Sequence, residues 1–156
     1  MENQIGLNND YTKKMVESLN IYLSDVQVIY MNLRGYHWNI TGKQFFVLHE
    51  KFEELYNNIN EMADEIAERI LMMGGSPVHA YSKYLKLAKT KEKENVSSAE
   101  DTIGEVLNEL KYLLSEERKI VSIASENGDE GTVDLITGYI SDQEKKIWML
   151  SSLLKK

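Results

Sequence analysis

The chain has 156 residues, 42% of them hydrophobic and 28% charged, enough to bury a core and too apolar for a disordered segment. It contains no cysteine and one proline, Pro77, which excludes disulfide frameworks, thiolate metal sites and thiol nucleophiles and favours long helices over an all-β fold. Eighteen Lys and Arg against 25 Asp and Glu give a net charge of −7, a balance that repels nucleic-acid phosphate and attracts cations. No apolar run preceded by a basic segment opens the chain, and none approaches the roughly 20 residues of a membrane span, so the expectation is a soluble cytoplasmic protein.

The spacing predicts a first helix over residues 10–37, where Met15, Leu19, Tyr22, Leu23, Val26, Ile29, Tyr30 and Leu33 recur at steps of three and four. Asn8, Asn9 or Asp10 is positioned to cap it. The segment Asn39-Ile40-Thr41-Gly42 breaks the pattern. A second helix is predicted over 43–73, with Phe45, Leu48, Phe52, Leu55, Ile59, Met62, Ile66 and Ile70 inward, and it stops at Gly74-Gly75-Ser76-Pro77. The connection that follows carries a short helix over 78–89 and a polar link over 90–95. Ser97 and Ser98 ahead of Glu100 and Asp101 signal a third long helix, to about Ser125. Asn127-Gly128-Asp129-Glu130-Gly131 ends that helix, and a fourth runs from about Thr132 to Leu154. The fold class is all-α, a four-helix bundle with a short extra helix in the connection between the second and third long helices, over a single domain 1–156. Periodicity alone does not choose between a crossover connection and simple up-down connectivity.

There are three histidines. His37 and His49 flank the first interhelical turn, and Glu53 stands one helical turn after His49. Further along the same helix Asp64 and Glu68 are four apart and share a face. Imidazole with carboxylate, without thiolate, is a ligand set for iron, manganese or zinc. The 15 residues from His49 to Asp64 span roughly 22 Å of helix, so these two residues cannot ligate one metal ion within one chain. Either the pairs are unrelated, or two chains meet and each contributes half of a shared site.

Taken together, Asn32-Leu33-Arg34-Gly35-Tyr36-His37-Trp38-Asn39-Ile40-Thr41-Gly42, Phe45-Phe46-Val47-Leu48-His49-Glu50, Asp64-Glu65-Ile66-Ala67-Glu68-Arg69-Ile70 and Gly74-Gly75-Ser76-Pro77 resemble the Dps family of mini-ferritins. The specific part covers residues 32–77, and Lys145 to Leu150 resembles the family's last helix more loosely. The resemblance implies a ferritin-like bundle assembled as a twelve-subunit shell of two-fold dimers, with a di-iron centre at each two-fold interface. His37 and His49 would come from one chain, and Asp64 and Glu68 from its neighbour. Glu53 would support the second iron position, and Trp38 would give up an electron beside the first ligand. The implied activity is a ferroxidase that oxidises ferrous iron, preferably with hydrogen peroxide but with oxygen as the other candidate oxidant, and stores ferric mineral against oxidative stress. Asp129, Glu130 and Asp134 match the region that lines an iron-entry pore.

A DNA-binding protective role with secondary iron oxidation is the alternative the family name suggests. It is opposed by the net charge and by the absence of Lys or Arg before Lys13 and Lys14, with only Lys155 and Lys156 at the other end. A ferritin centre inside one bundle would need Glu-x-x-His motifs, and neither His37 nor His49 has a Glu three residues before it. A metal-free helical interaction module is the remaining competitor. His79 matches no motif and is taken as structural.

Overall fold

The computed structural model describes residues 3–155, and all its regular elements are helices. They are α1 (Asn9–Asn39), α2 (Phe45–Met72), α3 (Tyr81–Leu87), α4 (Ala99–Glu126) and α5 (Glu130–Leu153). The four long helices fall where the apolar periodicity predicts them, because Met15, Leu19, Leu23, Phe52, Ile59, Ile66, Val106, Leu113, Ile120 and Ile136 all bury their side chains in one core. Caps decide the ends. The Asn8 side chain accepts from the backbone N–H of Asp10 and Tyr11 at 2.9 and 3.0 Å, and Ser98 Oγ accepts from Asp101 N–H at 3.1 Å. The last helix begins at Glu130 rather than Thr132, because Asp129 caps it by accepting from the Thr132 N–H at 3.0 Å. The short helix is only seven residues, Tyr81–Leu87. Its expected first turn is extended instead, with Val78 N–H donating to the Asn20 side chain at 2.8 Å.

The connection between α2 and α4 climbs the whole length of α1. It starts where Gly75 packs so closely on Val16 that an added Cβ would lie 2.6 Å from Val16 Cγ1. It then meets Asn20 through Val78, Asp25 through the N–H groups of Lys89 and Thr90 (both 2.7 Å), and Asn32 through Lys93 N–H (2.9 Å). It ends where Thr41 N–H donates to Ser97 C=O at 2.9 Å. Thus α4 starts at the same end of the bundle as α2 and runs parallel to it. This is the crossover topology, and the polar side chains of α1 specify it by satisfying backbone groups of the link that would otherwise be buried without partners.

The core is not wholly apolar. Glu117 on α4 is fully buried, and its carboxyl accepts from Tyr22 on α1 and Gln143 on α5. Glu109, one face-repeat earlier, accepts from Asn32 Nδ2 at 2.7 Å and Tyr36 Oη at 3.2 Å. Burial outweighs these donors and pushes both carboxyls up to about 7. The acceptor atoms Glu117 Oε2 and Gln143 Oε1 have no protein partner, and neither does Glu109 Oε2. A proton on Glu117 relieves that cost, since a neutral acid can donate as well as accept.

The folded chain therefore keeps this proton up to about pH 7, whereas an unperturbed carboxyl releases it near 4.5. Stability contributed by the neutral form is complete below that lower value and is lost as pH rises through the window. Glu117→Gln is accordingly expected to be more stable than wild type at pH 8, by about 1–3 kcal/mol, and closer to it at pH 5. Denaturant unfolding at the two pH values measures this. A variant equally destabilised at both would refute it.

Candidate metal centre

Gly42, at φ +97°, lets the chain reverse between α1 and α2 within a few residues. The last turns of α1 and the first turns of α2 therefore lie side by side, and His37 and His49 meet across them. Each imidazole bonds the backbone of the other residue: His37 Nδ1 lies 2.7 Å from the His49 carbonyl oxygen, and His49 Nδ1 lies 2.8 Å from the His37 carbonyl oxygen. A carbonyl only accepts, so each ring carries a hydrogen on Nδ1, which leaves Nε2 as the nitrogen available to a metal ion when the ring is a neutral imidazole. The rings stack with centroids 3.7 Å apart and planes 21° from parallel. This is the arrangement that orients metal-ligating histidines, with the second nitrogen held by a backbone carbonyl.

Aromatic side chains brace the pair. Phe45 stacks on His49 at 5.1 Å, and Tyr56 meets the His37 ring edge-on at 5.4 Å. Tyr56 in turn touches Tyr30 at 6.0 Å. The Arg34 guanidinium lies 5.4 Å from the Tyr30 ring centroid and 4.6 Å from that of Trp38. His37 is 8% exposed, while its neighbour Trp38 is 54% exposed.

Glu53, Asp64 and Glu68 are all exposed along α2. Asp64 lies in an open groove of about 330 Å³ with Leu23, Gln27, Asn60 and Tyr84. Among the described residues of one chain, no three His, Asp or Glu side chains come together as a metal-holding group. The structure thus brings His37 and His49 together and leaves Asp64 and Glu68 further down the same helix. His79 is exposed and its Nδ1 lies 2.9 Å from the Pro77 carbonyl, apart from these groups.

At the α4–α5 corner, Glu130 and Asp134 are exposed, but Asp129 is only 2% exposed. Its carboxylate accepts from Tyr11 Oη at 2.7 Å, Thr132 Oγ1 at 2.7 Å and the Arg69 guanidinium. Burial alone would raise this carboxyl. The donors Thr132 and Tyr11 and the Arg69 charge outweigh it and hold the group below its ordinary range.

Two features escaped the reading of the residues. The reciprocal backbone bonds of the histidines depend on how tightly the turn closes, which no spacing rule supplies. Tyr56 follows His49 by seven residues and Tyr30 precedes His37 by seven, so the helical repeat does place both on the histidine face.

A ferritin-like domain model matches residues 16–156. The chain is 46% identical over 151 residues to a DNA protection during starvation protein of Porphyromonas gingivalis, covering 97% of this chain and 95% of the relative. It is 39% identical to DNA protection during starvation protein 2 of Bacillus anthracis, covering 92% of this chain and 99% of the relative. Among solved structures it superposes on the Dps protein from Vibrio cholerae O1, described as a member of a broad superfamily of ferritin-like diiron-carboxylate proteins. That match has a TM-score of 0.97 at 45% identity and covers 99% and 97% of the two chains. With the crossover bundle and the histidine pair already in place, these likenesses show that the chain belongs to the Dps family of ferritin-like proteins.

Proposed function

We propose that this protein takes up ferrous iron, oxidises it at centres shared between two subunits, and keeps the ferric product as mineral inside a hollow shell of twelve copies. The observation that carries the reading is the locked histidine pair, which presents two Nε2 atoms that no His, Asp or Glu among the described residues of its own chain joins into a metal-holding group. Asp64 and Glu68 of the partner subunit would supply the carboxylates, because a two-fold axis that sets one chain's histidines on its partner's α2 creates two equal sites at once. Glu53, one turn beyond His49, would face a second and more loosely held ferrous ion. The Vibrio cholerae relative's membership of a superfamily of ferritin-like diiron-carboxylate proteins supports iron as the metal.

In this reading the iron is the substrate. Two neutral imidazoles and two carboxylates suit both ferrous and ferric ions, so the ligands need not rearrange on oxidation. Hydrogen peroxide takes one electron from each of two ferrous ions and two protons, giving two waters and two ferric ions. Hydrolysis of the ferric ions then releases protons, which exposed carboxylates such as Glu53, Asp64 and Glu68 can accept. Molecular oxygen would serve as the slower oxidant. Trp38, exposed beside His37, lies under the Arg34 guanidinium, which disfavours the electron loss that the family resemblance implies for it.

Iron would enter at the start of α5, where Asp129, Glu130 and Asp134 gather. The exposed Glu130 and Asp134 carboxylates attract the cation, while Asp129 fixes the helix that bears them. Protection of DNA would follow from removing ferrous iron and peroxide in the cytoplasm, not from binding phosphate, since the chain carries −7. Among the described residues no helix is long and apolar enough to cross a membrane, and the proposed shell needs none. The C-terminal lysine pair ends on Lys156, outside the described residues.

The test is stopped-flow oxidation of ferrous iron by the purified protein, with peroxide and with oxygen in parallel, followed by sizing of the product. Fast oxidation by peroxide and iron retained with a twelve-subunit particle are expected. Iron that precipitates free of the protein would overturn the reading.

A further inference from the structure

We propose that Tyr56 supplies the second electron when peroxide meets a site holding a single ferrous ion; the inference rests on the iron reading above. The four strong ligands proposed there hold one ion firmly, whereas the second position has only Glu53, so singly loaded sites form at low iron. Peroxide requires two electrons for reduction to water, and one ferrous ion gives one. Without a second donor, ferrous iron and peroxide yield ferric iron, hydroxide and a hydroxyl radical. With a phenol as donor, the sum is ferrous iron, peroxide, the phenol and one proton giving ferric iron, two waters and a neutral tyrosyl radical. The O–O bond breaks, the phenol loses its electron to the oxidant and its O–H hydrogen as a proton, and the O–H bonds of water form.

Three oxidisable rings lie near the histidines, and their surroundings separate them. Tyr56 meets the His37 ring directly at 5.4 Å. Tyr30 is one ring further away, 6.0 Å from Tyr56, and has the Arg34 cation 5.4 Å from its centroid. Trp38 has the same guanidinium closer, at 4.6 Å. A fixed positive charge over a ring makes removing an electron from it harder, and most so for Trp38, whose oxidised form first bears a positive charge itself. Tyr56 is therefore the ring in direct contact with a ligand and the one without the cation. Its half-buried position allows the phenolic proton to leave while the ring stays packed. The Arg34 sandwich confines the radical to Tyr56 and so protects the exposed Trp38.

The experiment loads the assembled protein anaerobically with one ferrous ion per histidine pair, adds one equivalent of hydrogen peroxide, and freezes samples for electron paramagnetic resonance. A parallel sample contains a hydroxyl-radical spin trap. Wild type is expected to give a tyrosyl signal and little trapped hydroxyl radical. Tyr56→Phe, which keeps the ring packing, is expected to lose that signal and release more hydroxyl radical, while its iron is still oxidised. Trp38→Phe is expected to retain the signal. A tyrosyl signal that survives Tyr56→Phe, or iron oxidised in wild type with no tyrosyl at all, overturns the inference and leaves the iron reading standing. Ferrous iron left unoxidised in wild type overturns both.

Discussion

His49→Ala is expected to lower peroxide-driven ferrous oxidation by on the order of 100-fold or more, since loss of even a supporting partner of a metal ligand costs about 10–100-fold. The substitution removes one Nε2 and the stacking partner of His37. It leaves the backbone carbonyl of residue 49, which holds His37 Nδ1 at 2.7 Å, so the other half of the pair keeps its tautomer. Because the His49 side chain is only half-buried and lies at the bundle end, the helices should form as before. Stopped-flow oxidation, with circular dichroism and particle size as controls for folding and assembly, measures the effect. An unchanged rate in a correctly assembled variant would remove the histidine pair from the chemistry. A rate lost together with the fold would make its role structural.

Asp129→Ala is expected to produce the largest loss of stability, about 3–5 kcal/mol, the usual cost of removing one member of a buried ion pair. Arg69 is mostly buried and would lose its counter-charge. Tyr11 would lose its acceptor, and α5 would lose the carboxylate that caps the Thr132 N–H. Glu130→Ala and Asp134→Ala change exposed side chains on the same helix and are expected within about 0.5 kcal/mol of wild type. In the pore reading these two slow iron uptake without changing stability. Thermal unfolding of the three variants separates the roles. Equal stability in all three would show that the Asp129 network contributes nothing.

The bundle was legible wherever burial follows the helical repeat. Residues such as Leu19, Phe52 and Leu113 needed only an apolar face, and the four long helices follow from them. The crossover was less legible because Asn20, Asp25 and Asn32 specify it by bonding backbone groups some 60 residues away. Such polar side chains look, in sequence, like interruptions of the apolar pattern. Asp129 shows the same difficulty in reverse. Near a helix start it reads as an exposed acid, yet it caps α5 by accepting from Thr132, and Arg69 and Tyr11 hold it in the interior. At the candidate metal centre, helix rise was enough to keep His49 and Asp64 off one ion within one chain, and the division into two half-sites came from the family resemblance. The mutual lock of His37 and His49, and the contact of Tyr56 with it, depend on side-chain packing across the turn.

The central claim is that each iron centre is shared between two subunits. Its most direct measurement uses two inactive shells: one made of His37→Ala/His49→Ala chains, the other of Asp64→Ala/Glu68→Ala chains. When the two chains are co-assembled in equal amounts, half of all two-fold dimers are mixed. Each mixed dimer rebuilds one of its two sites, so about a quarter of the wild-type peroxide-dependent oxidation should return. If co-assembled shells stay as inactive as either parent, the centre is not shared between subunits and the account fails.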